Sequence, residues 1–280
     1  MLSGWAKGRI VYSCRLDISM RKIAFVSFIG LLIASLIVLG INFNASRLVP
    51  QTTDNLLVSA AASLKDSLEE IKLLYQQTQL KTNLDYNFGA SGALQQQIEN
   101  GAPVDVFISA ANKQMDALAS KGLILADTRQ TLLTNRLVLI VPSNSSAITS
   151  FEQLTSANII RIAIGEPRSV PAGEYAQEVF QNLGILAQIK PKFVLANNVR
   201  QVLAAVESGN ADAGVVYATD ARISPRVKQV VIAPEIHSPI VYPIAVLKNS
   251  KNVAAAREYV QFLLSEQAQS VFRKYGFGVS

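Results

Sequence analysis

Four segments at predicted strand-to-helix junctions are rich in small residues and carry no charge, and three of them also have a side-chain hydroxyl or amide. Small side chains let a ligand approach the backbone, and the first N–H groups of a helix have no partner inside it. The helix dipole adds partial positive charge there, so each junction is a candidate anion contact. Ser63 and Ser91 can each add a hydroxyl donor. The junctions are Ser59–Ser63 (SAAAS), Gly89–Gly92 (GASG), Val170–Gly173 (VPAG) and Ala196–Val199 (ANNV).

Each junction also has an ordinary structural explanation. Serine before a helix is a common N-cap, and Pro171 is typical of a first helical turn. Tyr217 ends the apolar segment GVVY and is by itself typical of a core or its rim. Convergence favours binding instead, because the carboxyl ends of strands in an open α/β sheet meet at one crevice. Four junctions and the Tyr217 hydroxyl would surround a small ligand there.

The elements that must position these residues follow an α/β pattern. Short apolar segments alternate with amphipathic stretches, and the β-loop-α unit recurs in both halves, which predicts two similar lobes. The predicted strands are Leu56–Ser59, Leu84–Phe88, Val106–Ser109, Leu137–Val141, Arg161–Ile164, Phe193–Leu195, Gly214–Tyr217 and Ile240–Leu247. The predicted helices are Ser63–Gln77, Ala93–Asn100, Ala111–Lys121, the stretch after Pro171, Val199–Ser208, Val253–Leu264 and Glu266–Tyr275.

Other polar residues fit structural roles better than chemical ones. His237, the only histidine, lies in a loop without a metal-ligand pattern and is expected on the surface. Asp105 is expected to fix a loop or cap, and Arg200 to form an ion pair, although it could also close over a ligand. The sequence contains no GxSxG, HExxH, CxxC or phosphate-binding loop, so we expect neither an enzyme nor a cofactor.

The N-terminal part of the chain has the layout of a secretory signal. Residues 23–41 form an uncharged apolar stretch directly after Arg21 and Lys22, as in a signal peptide. We expect export and cleavage, with an uncleaved anchor as the alternative because the stretch can span a bilayer. Residues 1–19 fit an overlong start or a cytoplasmic tail. Cys14, the only cysteine, follows no apolar core, so we do not expect lipidation.

The basic charge belongs mostly to this N-terminal part. Of 26 basic and 20 acidic side chains, five and one lie in residues 1–45, which leaves 21 basic and 19 acidic residues, a net charge of +2. A nearly neutral body gives no electrostatic case for nucleic-acid binding, which requires a concentrated basic face. An anion site must therefore depend on local contacts.

Several longer segments follow one another in a fixed order. They are SAAASL (59–64), NFGASGALQQQIENGAPVDVFISA (87–110), TRQTLLTNRLVLIVP (128–142), VPAGEYA (170–176), NNVRQVLAAVESGNADAGVVYATDA (197–221), YPIAV (242–246) and FRKYGF (272–277). Each segment alone is moderate support for a family, whereas their order and spacing together are specific. They resemble the periplasmic molybdate-binding proteins of bacterial ABC transporters, and the resemblance extends over nearly everything after residue 54.

The resemblance implies a set of ligand contacts. In that family two serines, two backbone amides and a tyrosine hold the oxyanion. The matching positions here are Ser63, Ser91, the amides of Ala172 and Val199, and Tyr217. Ser59 departs from the family's usual aromatic or aliphatic residue, but it precedes the contact loop. No matched position is acidic, which favours a tetrahedral oxyanion held by hydrogen bonds over a site with carboxylate ligands to the metal.

The resemblance also implies a type II periplasmic binding fold, with two α/β lobes joined by two crossing segments and the ligand in the cleft. We expect the crossings near Leu132–Arg136 and His237–Tyr242, and the C-terminal helices against the first lobe. The predicted division is 1–19 tail or overlong start, 20–45 signal or anchor, 46–53 linker, 54–135 with 239–280 lobe 1, and 136–238 lobe 2.

The implied function is capture of molybdate or tungstate outside the cytoplasmic membrane by a monomer that delivers it to a membrane permease. A sulfate or thiosulfate carrier is the main alternative, because the expected contacts do not fix the size of the anion. A ligand-sensing domain is a more distant alternative, and the apolar leader argues against it. An enzyme with Ser63 or Ser91 as nucleophile is another, but no base can be named for it.

Overall fold

Two β-sheets organise the part of the chain that the computed structural model describes, namely residues 54–79, 81–145 and 148–279. Their strands, in chain order, are β1 (Asp54–Ala61), β2 (Thr82–Gly89), β3 (Val106–Ile108), β4 (Gln130–Thr134), β5 (Leu137–Pro142), β6 (Ile162–Gly165), β7 (Phe193–Ala196), β8 (Ala213–Tyr217), β9 (Val227–Ile232), β10 (Val241–Val246) and β11 (Gly278–Val279). The first sheet has the order β11-β4-β10-β3-β1-β2, and the second has the order β7-β6-β8-β5-β9.

Helices follow many of these strands. They are α1 (Lys65–Thr78), α2 (Ser91–Glu99), α3 (Asn112–Ser120), α4 (Pro171–Asn182), α5 (Leu186–Ile189), α6 (Val199–Glu207), α7 (Ala218–Arg222), α8 (Val253–Leu263) and α9 (Glu266–Tyr275). Short 3-10 turns occupy Ala62–Leu64, Ala126–Thr128, Glu152–Thr155 and Lys190–Lys192.

Parallel pairing aligns the strand ends in each sheet. Strands β1 and β2 pair in parallel up to Ala61 and Gly89, and β6 and β7 pair up to Gly165 and Ala196. Strand β8 is parallel to β6. The carboxyl ends therefore lie at a common edge of each sheet, and the segments that follow them gather there.

The helices pack through apolar faces with helical spacing. On α1, Leu68, Ile71 and Tyr75 are buried in the core, three and four residues apart as a single helix face requires. The C-terminal helix α9 packs against α1, where Lys274 Nζ lies 2.7 Å from a carboxylate oxygen of Glu70. The C-terminal helices thus rejoin the first sheet.

Helix α4 begins in very close contact with the end of β6. A Cβ atom added to Gly173 would lie 2.0 Å from the carbonyl oxygen of Gly165. Only a residue without a side chain fits such an approach. The glycine pair therefore fixes where the first turn of α4 lies relative to the second sheet.

The predicted strands and helices are present, with ends that differ by a few residues. Three strands were missed: β4, β9 and β11. Strand β9 alternates irregularly and is largely exposed, so its sequence lacks the period-two pattern of a half-buried strand. Strand β4 occupies most of the predicted first crossing, and the chain passes between the sheets at Asn135 and Arg136.

The chain returns to the first sheet between Ile232 and Val241. The predicted lobe boundaries at residues 135 and 239 stay a prediction. The expected tail, signal or anchor and linker lie outside the described residues, as does Cys14. Within the described residues, no helix is both long and apolar enough to cross a membrane.

Candidate binding site

The predicted junctions meet around one small cavity. All five predicted contact residues are on its wall. Its volume of about 10 Å³ is far below the roughly 300–1,000 Å³ of pockets for drug-sized organic ligands. The cavity therefore suits a ligand of a few atoms. Its lining is Ala61, Ala62, Ser63, Gly89, Ala90, Ser91, Ala110, Val170, Pro171, Ala172, Asn198, Val199 and Tyr217.

Both sheets contribute to this wall through the starts of their helices. Ser91 is the first residue of α2, Ala172 the second of α4, and Val199 the first of α6. Backbone N–H groups in a first helical turn have no acceptor within their own helix. At α6 the Asn198 side chain caps Gln201 N at 3.1 Å, which leaves the N–H of Val199 available. Three helix starts thus bring donors and partial positive charge to the cavity.

The hydroxyl of Tyr217 is buried without a hydrogen-bond partner among the described residues. The side chain is 1% exposed, and burial raises the pKa of Tyr217 well above its ordinary value. The phenol therefore keeps its proton and can donate. An unsatisfied buried hydroxyl is costly, and on a cavity wall it indicates a polar ligand as the missing partner.

The two serines are not helix caps. No side chain caps the N-terminus of the turn at Ala62–Leu64, of α1 or of α2. The N-cap explanation is therefore wrong for Ser63 and Ser91. Instead, Ser91 Oγ accepts a hydrogen bond from Ala110 N at 3.0 Å. Ser63 Oγ lies 2.9 Å from Tyr242 Oη. Both hydroxyls are buried, and each has one proton to donate.

Arg200 lies beside the cavity but is bound to carboxylates. Its guanidinium forms ion pairs with Asp66 at 2.5 Å and Asp220 at 2.7 Å, and its Nη2 donates to Ser63 O at 3.2 Å. The ion-pair prediction for Arg200 is confirmed. Burial raises the pKa of Asp220 to about 6, and the Arg200 charge opposes that rise.

The remaining polar predictions have separate outcomes. Asp105 fixes a loop as expected, since its carboxylate accepts from Leu57 N at 2.8 Å and from Ser250 Oγ at 2.5 Å. His237 is only half-buried, with Nδ1 2.8 Å from Ser238 O.

Tyr242 and Asn135 were missed as neighbours of the site. Tyr242 lies in a segment that carries the resemblance, YPIAV, but nothing in its strand pattern shows that its hydroxyl reaches Ser63.

The fold and the cavity together are those of a solute-binding protein with two α/β lobes. Residues 56–278 match the family of bacterial extracellular solute-binding proteins, and the chain belongs to that family. Its architecture is the type II periplasmic binding fold, in which the ligand cleft lies between two lobes joined by crossing segments.

Individual proteins of known or provisional name are similar to this chain over most of its length. A Bacillus subtilis protein named provisionally as an ABC transporter substrate-binding lipoprotein is 43% identical over 89% of this chain and 96% of its own length. The molybdate-binding protein ModA of Haemophilus influenzae is 37% identical over 92% of this chain and 99% of its own. The solved periplasmic molybdate-binding protein of Azotobacter vinelandii is 25% identical with a TM-score of 0.73, covering 80% and 99%.

Proposed function

We propose that this protein binds molybdate or tungstate outside the cytoplasmic membrane and delivers it to the permease of an ABC importer. The name of the Haemophilus relative supports the ligand class. The proposed contacts are the hydroxyls of Ser63, Ser91 and Tyr217 and the backbone amides of Ala172 and Val199. The observation that carries the proposal is the buried Tyr217 hydroxyl without a partner among the described residues, on the wall of a cavity of about 10 Å³.

The chemistry of these contacts favours a fully deprotonated dianion. Hydroxyl and amide protons can each donate to an oxyanion, whereas a protonated oxygen such as that of hydrogen phosphate needs an acceptor. Helix starts supply the positive potential, because the nearby arginine is already paired with Asp66 and Asp220. Molybdate, tungstate and sulfate meet this requirement equally, so cavity size must separate sulfate from the larger anions.

The remaining parts of the proposal concern the setting of the protein. We expect an exported monomer, held outside the cytoplasm by a cleaved or uncleaved N-terminal signal, without catalytic activity and without nucleic-acid partners. Closure of the two lobes around the ligand would create the form that the permease recognises. N-terminal sequencing of the exported protein distinguishes cleavage from anchoring.

Calorimetric titration of the purified protein tests the proposal. Molybdate and tungstate should bind one to one, and sulfate should bind much more weakly. Equal affinity for sulfate would contradict the molybdate assignment and favour the sulfate carrier. Absence of binding by all three anions would contradict the carrier function itself.

A further inference from the structure

Two consecutive side-chain hydrogen bonds lead from the crossing segments to Ser63. Asn135 lies where the chain first passes between the sheets, and Tyr242 lies in β10, just after the chain returns. Asn135 Nδ2 is 3.2 Å from Tyr242 Oη, and Tyr242 Oη is 2.9 Å from Ser63 Oγ. Tyr242 is fully buried and Ser63 is 3% exposed, so the hydrogen bond between their hydroxyls is shielded from solvent.

The orientation of the Asn135 amide sets the direction of the first bond. Arg136 N donates to Asn135 Oδ1 at 2.8 Å, which identifies the acceptor end of the amide. The other end, Nδ2, can only donate, and its two protons are directed to Tyr242 Oη and to Thr219 Oγ1 at 3.0 Å. Tyr242 Oη is therefore an acceptor toward Asn135.

The single proton of Tyr242 then points to Ser63. Burial raises the pKa of Tyr242 above its ordinary value, so the phenol stays protonated. If Ser63 donated to Tyr242 instead, the phenol oxygen would receive two protons. The Tyr242 proton would then be buried and could donate to neither Asn135 nor Ser63, which is costly. The lower-energy arrangement runs from Asn135 to Tyr242 to Ser63.

We infer that Tyr242 is a positioning residue that makes Ser63 a hydrogen-bond donor toward the ligand and thereby excludes protonated oxyanions. Because Tyr242 donates to one lone pair of Ser63 Oγ, the single proton of Ser63 is left for the ligand. Ser91 is constrained in the same way by Ala110 N, but that donor is backbone. Substitution of Tyr242 can therefore alter the preference of the site for unprotonated over protonated oxyanions. The inference rests on the proposed oxyanion function.

The test compares sulfate with hydrogen phosphate, since both are tetrahedral dianions of similar size and only hydrogen phosphate carries a proton. Their competition with bound molybdate is measured for the unmodified protein and for Tyr242→Phe, at a pH where phosphate carries a single proton. The variant keeps the ring that packs 5.9 Å from Tyr217 and 5.6 Å from Phe277. Without the Tyr242 donor, the Ser63 hydroxyl can turn a lone pair toward a protonated ligand oxygen. The sulfate-to-phosphate affinity ratio should therefore fall about tenfold, the scale of one hydrogen bond.

A second variant reverses the direction of the two hydrogen bonds instead of removing one of them. In Asn135→Asp, a carboxylate oxygen replaces Nδ2 and accepts the Tyr242 proton, so Ser63 donates to Tyr242 and offers an acceptor to the cavity. The added charge weakens both dianions alike, and the ratio should again shift toward phosphate. Tyr259→Phe is the matched control, because this buried tyrosine binds Tyr86 at 2.7 Å instead, and it should leave the ratio unchanged.

The outcomes separate the inference from the proposed function. If the unmodified protein does not bind molybdate, the proposed function fails. If it binds molybdate but both variants keep the original sulfate-to-phosphate ratio, or lose both anions equally, Tyr242 has only a structural role and the inference is overturned. A tightened preference for sulfate would also overturn it.

Discussion

At the scale of single residues, the cavity is defined by protons that have no protein acceptor. Tyr217 is the clearest case, because its hydroxyl is buried and has no partner among the described residues. In most folded proteins such a group is bonded. Its retention therefore places a cost on the unliganded protein that a bound oxyanion would remove. The same tyrosine contributes a ring to the core near Tyr242, so its packing and its donor role can be separated by mutation.

Replacing Tyr217 with Phe should weaken molybdate binding without weakening the fold. The lost bond is one to a charged group, so affinity should fall by about 1.5–3 kcal/mol. The unliganded protein should be as stable as before or more stable, since an unsatisfied buried hydroxyl is removed. Calorimetry and thermal unfolding measure the two effects. Tyr75→Phe, at a fully buried tyrosine away from the cavity, serves as control and should leave affinity unchanged. Full affinity in Tyr217→Phe would remove this hydroxyl from the proposed site.

At the scale of elements, a buried carboxylate connects the strand that carries Tyr217 to a neighbouring helix. Asp220 lies in α7, directly after β8, and its Oδ2 accepts from Tyr217 N at 3.3 Å. Its Oδ1 lies 2.7 Å from Arg200 Nε on α6, the helix whose first residue is Val199. Asp220 therefore holds together two of the elements that supply proposed contacts.

This carboxylate should give the protein a measurable dependence of stability on pH. Burial raises the pKa of Asp220 from its ordinary 3.8 to about 6, so the folded protein holds this proton more tightly than the unfolded chain. The stabilisation is complete below about pH 4 and is lost as pH rises through about 6. In urea unfolding, the free energy of unfolding relative to Asp220→Asn should fall across that window by at most about 1.4 kcal/mol per pH unit. A difference that is constant with pH would contradict this assignment.

The elements also show how far the sequence predicts the molecule. Strands with continuous apolar runs, such as β5 and β8, and helices with regular spacing, such as α1, are predictable because the pattern is local. No junction is diagnostic by itself, but the junction residues are predictable together because the carboxyl ends of strands in an open α/β sheet meet at one crevice. Tyr242 was missed because its contact with Ser63 spans 179 positions. No local pattern encodes a hydrogen bond between two crossing segments and a distant loop.

At the scale of the whole molecule, the cavity exists only because the two sheets are close together. Ser63 and Ser91 follow strands of the first sheet, and Tyr217 ends a strand of the second. Contacts join the two sides directly: Gly92 N donates to Ser169 O at 2.9 Å. Lys113 pairs with Glu174, and Arg200 with Asp66, each at 2.5 Å. In this structure the proposed contact residues from both sheets therefore line the same cavity.

The backbone approach at Gly92 gives a test of whether this arrangement is the one that binds the ligand. A Cβ atom at Gly92 would lie 2.7 Å from the carbonyl oxygen of Ser169 and 2.8 Å from its Cα, so Gly92→Ala should keep the two sides apart. Gly92 lies in the first turn of α2, and alanine is favoured over glycine in helices by up to about 1 kcal/mol. The unliganded protein should therefore be equally or more stable, while molybdate affinity falls at least about tenfold, the equivalent of about 1.4 kcal/mol.

Thermal unfolding and calorimetry on the same samples separate these two effects of Gly92→Ala. Gln96→Ala, at an exposed position of the same helix, should change neither property substantially. Reduced stability together with reduced affinity would point to damage within α2 rather than to a blocked approach of Ser169. Unchanged affinity in a stable Gly92→Ala protein would mean that the ligand is held without the contact between Gly92 and Ser169. The bound form would then differ from this arrangement of the two sheets.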